Sequence, residues 1–174
     1  SWLDEFESIL VDATLIRLRA DVPVGAYLSG GLDSSTTTAL IRRNVTNRLE
    51  TYSIAFRNPD FDESHFQLRM AEHLGTRHHI VKCDYEDIRL AFPDVIWHTE
   101  TPILRTAPIP MYLLSRLVHS DGLKVVVTGE GADEFLAGYD IFKEMLVRRF
   151  WARVPESSLR PLLCHARPDR WQRL

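Results

Sequence analysis

Residues 24–28 are a short apolar run that passes without a spacer into Ser29-Gly30-Gly31-Leu32-Asp33-Ser34-Ser35. A buried strand ending in two glycines, followed at once by a helix, is the order that phosphate sites use. The glycines let backbone N–H groups approach anionic oxygens, and the helix directs its positive end at them. Ser29, Ser34 and Ser35 add hydroxyl donors. Asp33 would repel a phosphate unless a divalent cation lies between the two, so it reads as a magnesium ligand. The loop is neither Gly-x-x-x-x-Gly-Lys-Ser/Thr nor Gly-x-Gly-x-x-Gly, which removes support for kinase-like and nicotinamide-linked chemistry. In isolation the same residues also read as a tight turn with an aspartate helix cap.

The alternation recurs along the chain. Leu3, Phe6, Ile9 or Leu10, Ala13 and Ile16 stand at helical spacing and predict an amphipathic helix to about Ala20, which Pro23 breaks. Further strands are expected at 51–56, 78–82 and 124–128. Asp62 is expected to cap a helix that Gly75 closes after Leu74. A helical stretch over 84–98, interrupted near Pro93, a loop over 99–108 and an apolar helix over 109–118 complete the pattern. Strands alternating with helices predict an α/β fold, a doubly wound and mostly parallel sheet with helices on both faces. In such sheets ligands sit at the carboxyl ends of strands near a topological switch point.

The last predicted strand runs into Thr128-Gly129-Glu130-Gly131-Ala132-Asp133-Glu134. Its three carboxylates repel one another unless a cation or a cationic substrate group is present. The bland alternative is a helix start whose Asp133 and Glu134 favour the macrodipole.

At 174 residues, 45% hydrophobic and 26% charged, the chain suits one domain, and a net charge of -3 does not suit a nucleic-acid binder. The segment from Arg148 onward holds seven arginines against Glu156 and Asp169, which reads as a solvated or docking surface. No apolar run is long enough to span a bilayer and no signal peptide is evident, so a cytoplasmic protein is expected. Cys83 and Cys164 form no disulfide framework. His78 and His79 would point to opposite faces of a strand, which argues against a metal site with His73 and Cys83. Trp2, Trp97 and Trp151 are expected to pack.

Val22-Pro23-Val24-Gly25-Ala26-Tyr27-Leu28 leading into the Ser-Gly-Gly loop, with Thr128-Gly129-Glu130-Gly131-Ala132-Asp133-Glu134 and Gly138-Tyr139 downstream, resembles the synthetase domain of class B, glutamine-hydrolysing asparagine synthetases. Phe61-Asp62-Glu63, Leu74-Gly75-Thr76-Arg77-His78-His79, Glu100-Thr101 and Pro110-Met111-Tyr112 follow in the family order. Pro102-Ile103-Leu104 departs from it, standing where the family has a polar approach.

The resemblance implies an N-type ATP pyrophosphatase fold of the adenine nucleotide α-hydrolase kind, with strand order 3-2-1-4. Residues 1–147 would be its core and 148–174 a basic, truncated segment of the same domain, with the amino-terminal glutaminase domain absent from this sequence. It implies ATP and Mg2+ as cofactors, adenylation of the aspartate side-chain carboxylate with release of pyrophosphate, and displacement of AMP by ammonia from glutamine to give asparagine. By the same resemblance Tyr27 and Ile54 touch adenine or ribose through their backbones, and Thr128 and Gly129 close the nucleotide site. Ser29, Gly30, Gly31, Asp33 and Ser34 hold pyrophosphate and magnesium, with Asp133 as a second metal carboxylate. Glu130 takes the proton of the attacking ammonia, and Arg105 holds substrate or the reacting phosphate. Partners would be small molecules and the glutaminase domain, in a monomer or homodimer, with no nucleic acid and no membrane. A β-lactam synthetase-like enzyme or another amidotransferase acting on a different carboxylate, and a non-catalytic adenine-nucleotide module, are the alternatives.

Overall fold

The structure is a computed structural model that describes residues 1–154. The chain divides into two compact units, Ser1–Gly129 and a second that begins at Glu130.

In the first unit, α1 (Trp2–Arg17) is followed by β1 (Val24–Tyr27), α2 (Leu32–Asn44), β2 (Glu50–Phe56), α3 (Ser64–Leu74) and β3 (Arg77–Cys83). After these come α4 (Tyr85–Thr99), α5 (Pro108–Ser120) and β4 (Val125–Val127). The four strands are parallel in the order β3-β2-β1-β4. The chain moves outward from β1 through β2 to β3, then returns through α4 and α5 to the other side of β1. This reversal places the topological switch between β1 and β4.

The two faces of β2 explain the layering, since successive side chains point to opposite sides. Tyr52, Ile54 and Phe56 enter the clusters built with α4 and α5 around Leu113, Leu114 and Ile109. On the other side Thr51, Ser53 and Ala55 are small and buried, which lets α3 lie close. Ala26 packs with Ile41 and Leu49 beneath α1 and α2.

Local signals account for most helix ends. Asp84 caps α4, accepting the N–H groups of Glu86 and Asp87 at 2.9 and 3.0 Å. Gly75 ends α3 at φ 62°, in the left-handed region that glycine adopts without strain. The cap of α3 itself is Glu63 rather than Asp62. Asp62 lies one residue earlier and binds the N–H and hydroxyl of Ser64. Pro93 does not interrupt α4, because one lost N–H is offset by Ala91 and Val95, which anchor that stretch in the core. Trp2 and Trp97 do not pack: they are 88% and 80% exposed. The side chain of Trp151 and residues 155–174, with most of the basic segment, lie outside the described residues. Among the described residues no helix is long and apolar enough to cross a membrane.

His78 and His79 leave β3 on opposite faces. His79 stacks on Tyr52 and places its ring nitrogens 2.6 Å from Glu50 and 3.1 Å from Asp121. His78 Nδ1 lies 3.0 Å from Thr51 Oγ1, and Nε2 is buried with no partner among the described residues. Burial, and secondarily the neighbouring His79, push the His78 pKa down to about 4. The unfolded chain therefore takes up a proton that the folded chain refuses between that value and about 6.5. His78 contributes stability that is complete above that window and lost as pH falls through it. The urea midpoint is expected to drop from pH 7 to pH 4.5, and the drop should shrink in His78→Gln.

The second unit contains α6 (Ala132–Leu136) and α7 (Asp140–Ala152). Gly131 enters α6 at φ 95°. The N–H of Gly138 donates to the Asp133 carbonyl at 3.1 Å.

Candidate nucleotide site

The end of β1 is fixed before the loop begins. Leu28 is fully buried, its N–H donates to the Tyr52 carbonyl at 2.9 Å, and its carbonyl accepts the Ser53 hydroxyl. The loop is then held by its own hydroxyls. Ser34 Oγ accepts the Ser29 N–H at 3.2 Å and lies 2.8 Å from Ser29 Oγ, which accepts the Gly31 N–H at 3.3 Å. Gly30 turns the chain at φ 84°, and a Cβ there would lie 2.8 Å from Phe66 Cβ and 2.9 Å from Gln67 N. The loop thus rests directly on the first turns of α3.

Gly31 caps α2 without a side-chain hydrogen bond. The N–H groups of Leu32, Asp33 and Ser34 have no acceptor within the helix, so a partial positive charge remains at the loop. Gly129, just past β4, lies against this turn: a Cβ there would meet Ser34 N at 2.9 Å and the Asp33 carbonyl carbon at 3.1 Å. The ends of β1 and β4 therefore meet at the switch point, with free amides, two hydroxyls and a carboxylate on one surface.

Asp33 is half-buried and pairs with no cation among the described residues. Three free amides for anionic oxygens and one unpaired carboxylate for a cation fit a magnesium polyphosphate. Among the described residues no three His, Cys, Asp or Glu side chains converge as a metal site. A magnesium ion at Asp33 would take most of its shell from phosphate oxygens and water, as that ion commonly does.

Tyr27 directs its hydroxyl to Ser115, 3.1 Å away on α5, leaving its backbone at the strand end. Ile54 lies on the neighbouring strand. Its side chain is in the α4–α5 cluster, and its carbonyl accepts Gln67 Nε2 at 2.9 Å. The Gln67 contact was not visible in the sequence, since nothing in a helical glutamine signals a strand carbonyl as its partner. Thr128 and Gly129 are half-buried at the end of β4.

Arg105 lies elsewhere on the same edge of the sheet. It borders a cavity of about 750 Å³ at the carboxyl ends of β2 and β3, walled by Phe56, Phe61, Tyr85, Ile88 and Pro110. These walls come from three separate segments, and no single motif marks them. The available signal was Phe56 and Phe61 flanking a strand end, where ligands of such sheets sit.

Glu130 and Asp133 belong to the second unit. Glu130 is exposed and Asp133 half-buried, with its carboxylate against the Gly138 backbone where a Cβ would collide with it. Tyr139 donates to Glu134 at 2.9 Å, and this carboxylate holds the phenol pKa above its ordinary value.

A four-stranded parallel sheet in this order, with a glycine loop at the switch point, defines an adenine nucleotide α-hydrolase-like fold. An NH3-dependent NAD synthetase from Campylobacter jejuni shares it, with a TM-score of 0.54, 20% identity, and coverage of 80% of this chain and 61% of that one. The chain belongs to the asparagine synthase family, whose model, Asparagine synthase, matches residues 5–174. It is 38% identical over 152 residues to amidase chyE of Penicillium rubens, covering 79% of this chain and 23% of that protein. It is 36% identical over 160 residues to a putative glutamine-hydrolysing asparagine synthetase of Mycobacterium tuberculosis H37Rv, covering 91% and 24%. The chain thus spans about a quarter of the length of these curated relatives.

Proposed function

We propose that this chain is the synthetase portion of an ATP-dependent amide-forming ligase, its ATP site being the loop at the end of β1. The observation that carries the reading is the surface at the switch point, where three uncapped amides, the Ser29–Ser34 hydroxyl pair and unpaired Asp33 lie under Gly129. Membership of the asparagine synthase family supports carboxylate activation as the use of that site.

A carboxylate oxygen attacks the α-phosphorus, and the bond to the β-phosphate oxygen breaks to release pyrophosphate. Ammonia nitrogen then attacks the acyl carbon, AMP leaves with the former carboxylate oxygen, and a proton passes from nitrogen to a base. The free amides at the start of α2, with the Gly30–Gly31 turn and the hydroxyls of Ser29 and Ser34, hold the leaving pyrophosphate. Asp33 would hold magnesium, with Asp133 as a second carboxylate, and the ion would neutralise charge on the phosphates. The backbones of Tyr27 and Ile54 border the nucleoside, and Thr128 and Gly129 close over it. Ile54 contributes its N–H, because Gln67 takes its carbonyl. Arg105 holds the acceptor, and Glu130 is the base.

Aspartate, with nitrogen from glutamine delivered by a glutaminase domain, is the acceptor suggested by relatives named asparagine synthetases. A different carboxylate is the second reading, favoured by relatives named amidases at similar identity. Incubating the full-length protein with ATP, ammonia and a carboxylate panel tests both: acid-dependent AMP and pyrophosphate support the ligase, whereas nucleotide binding without AMP would leave a sensor. Glu130→Gln is expected to keep ATP–pyrophosphate exchange while lowering amide formation about a hundredfold, within the range of general-base catalysis.

A further inference from the structure

The cavity beside Arg105 has walls of a different kind from the phosphate loop. Resting on the ligase reading above, we propose that this cavity receives the body of the acid being activated, and that the acid is apolar, aromatic or branched aliphatic, rather than aspartate.

Size and chemistry both point this way. At about 750 Å³ the cavity lies in the range of sites for drug-sized ligands, far larger than one aspartate needs. Carbon from Phe56, Phe61, Ile88 and Pro110 makes up most of the lining, with Asn58 and Thr106 as the few polar groups outside Arg105 and the Arg57–Asp84 pair, so the ammonium and second carboxylate of aspartate would find few partners. The mouth is apolar as well: of the lining residues, Phe61 is 62% exposed and Tyr85 73%. Large apolar groups ringing an apolar cavity gain by being covered with an apolar ligand.

The charged groups discriminate further. Arg57 is 3.3 Å from Asp84, whose carboxylate also caps α4, so this pair is already satisfied. Arg105 has no carboxylate partner among the described residues. One unsatisfied cation at the mouth of an apolar chamber fits a single carboxylate on a hydrophobic body.

The test is ATP–pyrophosphate exchange by the full-length protein with phenylacetate, 4-methylpentanoate and aspartate, alongside ATP binding measured separately. Exchange with the two apolar acids should exceed that with aspartate about tenfold, the scale on which pocket shape discriminates. Ala107→Phe, which fills the cavity from an exposed position at the start of α5, should lower that exchange about tenfold with ATP affinity unchanged. Tyr85→Ala, at the exposed mouth, should raise KM for the apolar acids. Aspartate as the preferred acid would overturn the inference and leave the ligase reading standing. Loss of ATP affinity in Ala107→Phe would give the cavity to the nucleotide and overturn it too. No exchange with any acid and no AMP would remove the ligase reading and this inference with it.

Discussion

Gly30→Ala is expected to destabilise the first unit by roughly 2–5 kcal/mol, the sum of a left-handed backbone cost and overpacking. The backbone part follows from φ 84°. The packing part follows from the 2.8 and 2.9 Å approaches to Phe66 Cβ and Gln67 N, both on α3, where neither backbone nor Cβ can swing aside. Two glycines act as controls. Gly75 has φ 62° but nothing within 4 Å, so Gly75→Ala should show only the backbone part, about 1–2 kcal/mol. Gly31 has φ -72°, and a Cβ there meets only Ser29 Oγ at 3.4 Å, so Gly31→Ala should be nearly neutral for stability. Urea unfolding of the three variants should rank them in that order. Equal costs for Gly30→Ala and Gly75→Ala would mean that the loop does not rest on α3.

Asp33→Ala is the second large effect, and its signature is opposite, with function lost and stability kept. No hydrogen bond or ion pair among the described residues ends on its carboxylate, so folding loses only the favourable charge in the first turn of α2, about 0.3–1 kcal/mol. Catalysis should lose the electrostatic organisation of the phosphates, about 10²–10³-fold in AMP formation. Asp33→Asn, of the same shape without the charge, should be similarly impaired, and both should need more magnesium for half-maximal rate. Unchanged turnover and unchanged magnesium dependence in both would remove Asp33 from the site.

The parts legible in the sequence are those whose cause is local. The ends of β1 and β4 followed from apolar runs that stop at Ser29-Gly30 and Thr128-Gly129, and the β1–loop–α2 unit from two glycines placed at a strand end. The resemblance supplied the strand order, which periodicity alone does not contain. What stayed hidden depends on partners distant in the chain. Ile54 reads as an ordinary strand residue, yet a glutamine on α3 takes its carbonyl. Pro93 reads as a break, but tertiary packing of Ala91 and Val95 outweighs one missing hydrogen bond. Trp2 and Trp97 read as core because large aromatic groups usually gain by burial, and spacing does not say which helix face finds a neighbour. The chamber at Arg105 is assembled from segments near residues 56–61, 83–88 and 105–110, and emerges only when the parallel sheet brings those strand ends side by side.

Acyl transfer through an adenylate is tested most directly by the fate of the carboxylate oxygen. The full-length protein would be supplied with ATP, ammonia and a carboxylic acid labelled with 18O in its carboxylate, and the products examined by mass spectrometry. One 18O atom in the phosphate of AMP, with unlabelled pyrophosphate, is the predicted result. ADP together with 18O-labelled inorganic phosphate would show attack at the γ-phosphorus instead, and would contradict it.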